Sequence, residues 1–163
     1  MSCQYLLERA ARHLVLLLAL LAPAMPAFAA PQTILPFGAD TWNELGRSPL
    51  RPMAVVFSTS DCAHCPAVID SLAAAIRKSG SRARLVVVVM DGAGQEEALR
   101  TNGHYRQANA LYVFDGDAMA LRFRVNPDWR GLTPYVALIA ADGATRFHAG
   151  PPPAEAVRAF MRP

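Results

Sequence analysis

Charge is scarce in this chain. Charged residues make up 18% of 163, the formal net charge is +3, and only one of the sixteen basic residues, Lys78, is a lysine. The arginines are scattered among acids and form no stripe or block, so no nucleic-acid partner is expected. Long apolar runs are also missing. The most extended one, residues 14–22, falls well short of the about 20 residues that a membrane span needs. No internal repeat and no long linker follows residue 30. Cysteine is rarer still: Cys3, Cys62 and Cys65 are all there is. With no second Cys-x-x-Cys pair, a four-thiolate zinc site is ruled out.

What the chain does have is apolar bulk. At 53% hydrophobic residues it is no disordered or low-complexity polymer, and its length suits one ordinary domain. The N-terminus reads as an export signal: Arg9, Arg12 and His13 precede the apolar run, Pro23 and Pro26 break it, and Ala27-Phe28-Ala29 supplies a small-x-small cleavage pattern. The expected organisation is therefore a signal peptide over residues 1–29 and one domain over residues 30–163. An uncleaved N-terminal anchor is the competing reading. Cleavage would remove Cys3, leave the charge near neutral and leave no stable membrane span. It would also place Cys62-Ala63-His64-Cys65 in an oxidising compartment, where a dithiol can form a disulfide.

Periodicity supplies the elements. Residues 31–36 read as an extended lead-in and 41–47 as a short helix. Met53-Ala54-Val55-Val56-Phe57 reads as a strand covered on both faces. A helix runs from the cysteines to about Lys78, with Val68, Ile69, Leu72, Ala73 and Ile76 on one stripe. Residues 85–90 form the clearest strand. A helix is expected over 95–106, a strand over 110–114, a short helix over 118–123 and a strand over 135–140. Asp142-Gly143 turns a hairpin into a strand over 145–148, and 154–161 forms a last helix. From the strand at 53 onward, parallel units are followed by a closing hairpin, giving an α/β class. Trp42 and Trp129 read as packing residues.

Two cysteines spaced by two residues at a helix start can close a small disulfide ring. The helix N-terminus favours thiolate there. Cys62 is the expected nucleophile, and Cys65, one turn inside, the expected resolving thiol. His64 would favour the Cys62 thiolate further, while Asp61 opposes it by like-charge repulsion.

Those residues, Val55-Val56-Phe57-Ser58-Thr59-Ser60-Asp61-Cys62-Ala63-His64-Cys65, together with Gly131-Leu132-Thr133-Pro134-Tyr135-Val136-Ala137-Leu138-Ile139 and Asp142-Gly143, resemble the thioredoxin superfamily. Within it they resemble the TlpA-like thioredoxins of the bacterial cell envelope, over about residues 35–161. The resemblance implies a thioredoxin fold, with a central mixed sheet flanked by helices. It also implies an extra strand–helix insertion near 110–124, and a cis bond at Pro134 beside the disulfide, where Thr133 and Pro134 receive a substrate chain. The implied activity is thiol–disulfide exchange on envelope proteins in the periplasm. A reductant recharged by a membrane electron donor is the family's habit, and no organic cofactor is implied. The chain departs from the pattern in having Asp61 where a tryptophan is usual and Ala63 where a proline is usual. It also has no carboxylate within residues 53–57, and its N-terminal hairpin is short or missing.

Other readings of the same residues stay open. The Cys62–Cys65 bond could be a structural staple, although so small a ring gains little unfolded-state entropy. The two thiolates with His64, His104 or His148 could hold copper or zinc, which would make the chain a periplasmic copper-handling chaperone of thioredoxin fold without turnover. A degenerate domain acting as a binding module is a third reading.

Overall fold

The structure is a computed structural model that describes residues 33–162. The expected export segment, its cleavage site and Cys3 lie outside the described residues.

The centre of the domain is built from strands that read as unbroken apolar runs. Strand β2 (Met53–Ser58) is buried at every residue, and β3 (Arg84–Val89) at all but its first. β-Branched side chains suit such doubly covered strands. β2 lies parallel to β3 in the register Val55↔Val86 and antiparallel to β5 (Tyr135–Ile139), with Phe57 opposite Tyr135. β4 (Ala110–Phe114) adds to β3 in parallel. β6 (Thr145–Ala149) returns against β5 through a turn in which Gly143 N–H donates to the Ala140 carbonyl at 3.0 Å.

Residues 31–36 were expected as an extended lead-in; within that stretch begins a strand, β1 (Ile34–Phe37), parallel to β4. Pro36 and the short length hide it from pattern reading. The six-stranded order is β1-β4-β3-β2-β5-β6.

Alternation along the strands sends two sets of side chains to two faces. On one face Ala54, Val56, Leu85, Val87, Val136 and Leu138 pack with Val68, Ile69 and Leu72 of α2 (Cys65–Ser79) and with Val157 and Phe160 of α5 (Ala154–Phe160). On the other, Val55, Phe57, Val86, Val88 and Ile139 pack with Leu45 of α1 (Thr41–Arg47) and with Leu121 and Val125 of α4 (Ala118–Val125). Each fully buried Val, Leu or Phe contributes about 1.5–3 kcal/mol, so both helical layers are held by the same sheet.

The helix expected over 95–106 is two elements. α3 (Glu96–Thr101) stops at Asn102, which is extended at φ −69°, ψ 118°. The Asn102 side chain then caps a 3₁₀ helix (Gly103–Gln107) by accepting from His104 N–H at 3.0 Å. A short polar side chain that competes for backbone donors is a normal helix breaker. The remaining boundaries agree with the expected ones to within two residues, apart from the start of α2.

Of the four parallel strands, β1, β3 and β2, with the antiparallel strands β5 and β6 and a Cys-x-x-Cys between β2 and α2, make up the thioredoxin fold. β4 and α4 form the strand–helix insertion, with β4 placed between β3 and β1.

Gly92, just after β3, has no room for a side chain. A Cβ there would lie 2.6 Å from Val113 Cγ1 and 2.7 Å from Leu99 Cδ1. Gly92→Ala is expected to destabilise the fold by about 1–3 kcal/mol through overpacking. A urea midpoint equal to that of the wild type would show that β4 and α3 yield freely.

Candidate active site

β2 delivers the chain to the site. Its last residue, Ser58, is fully buried, and its carbonyl accepts from Met90 N–H at 2.9 Å, extending the β2–β3 pairing by one step. The chain then turns: Cys62 N–H donates to the Thr59 carbonyl at 3.2 Å, and Cys65 N–H to the Cys62 carbonyl at 3.3 Å. α2 starts at Cys65 with His64 as N-cap and Pro66 in its first turn. Cys62 therefore lies in the turn before the helix, and Cys65 at its first residue rather than one turn inside. Pro66 accounts for this start, because proline fits only the beginning of a helix, where its missing N–H costs nothing.

Cys62 and Cys65 are joined as a disulfide with Cα atoms 5.5 Å apart, inside the usual range. Their surroundings differ. Cys65 is 1% exposed, whereas Cys62 is only half-buried. Asp61, Ala63 and His64 are exposed. The His64 side chain makes no capping hydrogen bond, which leaves the first-turn N–H groups of α2 without a side-chain acceptor from the cap.

The second segment meets this loop by register. Because β5 runs antiparallel to β2 and Phe57 pairs with Tyr135, Pro134 enters the sheet at the end where β2 leaves it. The Thr133–Pro134 bond is cis, as is Arg51–Pro52. Pro134 is buried, Thr133 half-buried, and Leu132 70% exposed. Gly131 adopts φ +84°, a left-handed conformation that favours glycine at this turn.

Trp129 holds this loop from beneath. Its Nε1–H donates to the Leu132 carbonyl at 2.9 Å, and its indole stacks on Tyr135 at 4.5 Å and 6°. The Tyr135 hydroxyl accepts from Asn126 Nδ2 at 2.7 Å. Trp129 thus packs, as expected, and also fixes the segment before Pro134. The sequence offered only its closeness to that segment as a signal.

A further residue went unnoticed in the sequence. Asp91, just beyond β3, accepts from Ser60 N–H at 2.8 Å on Oδ1 and from Ser60 Oγ at 2.7 Å on Oδ2. Tyr105 lies beside it. Burial pushes the Tyr105 phenol up, the Ser58 hydroxyl opposes that, and the Asp91 charge adds to it. His104 and His148 do not join the cysteines: among the described residues no three His, Cys, Asp or Glu side chains gather as metal ligands. His148 sits on β6, its Nε2 buried without a partner.

No family model matches the chain, and no curated protein sequence matches it. Among solved structures it is similar to a secreted Mycobacterium tuberculosis disulfide oxidoreductase homologous to E. coli DsbE. Identity is 21% over 67% of this chain and 81% of that one, with a TM-score of 0.48. A likeness this distant carries no weight for activity, and the fold stands on its own strand order and register. No helix among the described residues is long and apolar enough to cross a membrane.

Two outcomes are expected here. Trp129→Phe keeps the ring and loses the donor to Leu132, so stability should fall by about 0.5–1.5 kcal/mol while amide exchange at residues 131–133 speeds up; unchanged exchange would show the loop is held by other means. The second concerns alkaline pH. Burial raises the phenol pKa of Tyr105, Tyr112 and Tyr135 above the ordinary 10.0. The unfolded chain then loses these protons first, so stability is full below about pH 10 and falls as pH climbs through the folded values. Absorbance at 295 nm should rise later in the native than in the denatured protein.

Proposed function

We propose that this chain is an exported thiol–disulfide oxidoreductase of TlpA-like type, acting as a reductant of protein disulfides in the cell envelope, in the periplasm. The observation that carries the reading is the Cys62–Cys65 disulfide, placed between β2 and α2 at the sheet end where cis-Pro134 enters. A bond at that place, between a half-buried Cys62 and a buried Cys65, suits exchange better than stapling.

In the reduced protein, the Cys62 thiolate attacks one sulfur of a substrate disulfide. A mixed disulfide forms, and the other substrate sulfur leaves as a thiolate. Cys65, deprotonated in turn, attacks the Cys62 sulfur, releases the second substrate thiol and closes the internal disulfide. Two electrons pass to the substrate, and a dithiol donor, membrane-borne in this reading, must return them. Asp61 and His64 flank the attacking sulfur in sequence and would tune it with opposite signs. Thr133 and Pro134 would receive the substrate chain. Neither organic cofactor nor nucleic acid has a part in this scheme. The copper-handling alternative lacks a histidine gathered with both cysteines among the described residues.

The test is the reduction potential of the pair, by titration of the purified protein in glutathione and dithiothreitol buffers. The expected value lies near that of thioredoxin, about −270 mV. A value approaching about −120 mV would make the protein a disulfide donor, and resistance well below about −300 mV would mark a structural bond and sink the reading. Cys62→Ser should abolish insulin reduction. Cys65→Ser should accumulate the mixed disulfide, visible as a mass adduct that dithiothreitol removes.

A further inference from the structure

The loop over residues 59–64 carries Cys62 yet has few anchors. Neither Asp61 nor His64 makes a side-chain hydrogen bond or an ion pair among the described residues. Apart from the adjoining Ser58, whose Oγ donates to the Thr59 carbonyl at 3.1 Å, the Asp91 carboxylate is the one side chain outside the loop that hydrogen-bonds it among the described residues, and it does so with both oxygens, to the N–H and the Oγ of a single residue, Ser60. Hydrogen bonds to an ionised acceptor are about twice as strong as neutral ones, and a two-point grip fixes direction as well as distance. Asp91 is itself held. Gln95 Nε2 donates to its carbonyl at 3.0 Å, and the next residue, Gly92, is wedged against Val113 and Leu99.

From this geometry we infer that Asp91 is a positioning residue for Cys62. It latches the loop at Ser60, two residues ahead of the sulfur, and so keeps Cys62 close to the start of α2, where Cys65 is fixed by burial. The inference rests on the oxidoreductase reading and deepens it. Forming the internal disulfide depends on how often the two sulfurs meet, and a loop already ordered raises that effective concentration. Freed of its latch, Cys62 meets Cys65 less often. The internal disulfide is then less stable, and the equilibrium moves toward the dithiol.

Redox equilibrium of the purified full-length protein with glutathione tests this. In that exchange two glutathione thiols become glutathione disulfide as the Cys62–Cys65 bond becomes two thiols. Asp91→Ala is expected to shift the equilibrium about tenfold toward the dithiol, about 30 mV more oxidising. Ser60→Ala, which loses one of the two bonds, should shift it the same way by about threefold. Asp91→Asn can still accept from Ser60 N–H and donate to Ser60 Oγ, but through weaker neutral bonds, so it should shift the equilibrium the same way by clearly less than Asp91→Ala. The latch is also expected to make Asp91→Ala lower the melting temperature of the oxidised protein more than that of the reduced one. A merely structural role would lower both equally and leave the equilibrium unchanged.

An unshifted equilibrium in Asp91→Ala with a native near-UV spectrum overturns the inference. So does an Asp91→Asn shift as large as that of Asp91→Ala, which would assign the effect to charge. Should Asp91→Ala not fold, Ser60→Ala decides alone: a shift toward the dithiol supports the latch, and no shift removes it. A wild-type bond that neither glutathione nor dithiothreitol opens overturns the oxidoreductase reading and this inference together. A wild type that titrates beside unshifted variants overturns the inference only.

Discussion

Everything at the candidate site depends on the pairing of β2 with its two neighbours. A strand buried on both faces cannot slip by one residue without exchanging its two sets of apolar side chains, and β2 is buried from Met53 to Ser58. That fixed register decides where the chain leaves the sheet. Parallel pairing with β3 brings Asp91 to the same sheet end as Ser60, and antiparallel pairing with β5 brings Pro134 there too. Three segments far apart in sequence therefore converge on one short loop.

Convergence leaves the site in two mechanical halves. On one side stands the aromatic group of Phe57, Trp129, Tyr135 and Phe147, in which Trp129 and Tyr135 stack and Phe147 lies 5.7 Å from Tyr135. It supports the segment before Pro134 through one indole hydrogen bond, from Trp129 to the Leu132 carbonyl. On the other side the cysteine loop rests on the Cys62–Cys65 bond, on polar contacts to Asp91 and Ser58, and on its own turns. An apolar platform is stiff because its contacts are many and short-ranged, whereas a loop with few polar anchors can be altered by one substitution.

The sequence revealed those parts of the molecule whose cause is local. Continuous apolar runs mark β2, β3, β4 and β5, and the Cys-Ala-His-Cys spacing marks the place of the disulfide. Pro134 as a cis residue came only through family resemblance, because nothing in a Thr-Pro dipeptide sets it apart. Failures occurred where the cause is distant or small. β1 is four residues containing a proline, and it is a strand because β4 is there to receive it. The break at Asn102 depends on one side chain choosing the His104 N–H over the helix. Asp91 reads as an ordinary turn residue, since its partner Ser60 is 31 positions away. The start of α2 moved to Cys65 because Pro66 marks the helix beginning more strictly than the cysteines do.

The proline in β1 has a consequence for the sheet as a whole. β1 is an outer strand, and the Phe37 carbonyl faces inward, accepting from Asp115 N–H at 3.1 Å. Neighbouring residues of a strand turn their backbone groups to opposite sides, so Pro36 faces outward. Proline has no N–H to offer there. A seventh strand arriving from another molecule would find a missing rung in a strand of only four residues. Short edges interrupted by proline discourage such intermolecular pairing. The residue that hides β1 from a pattern reading thus also makes this edge of the sheet a poorer template for another chain.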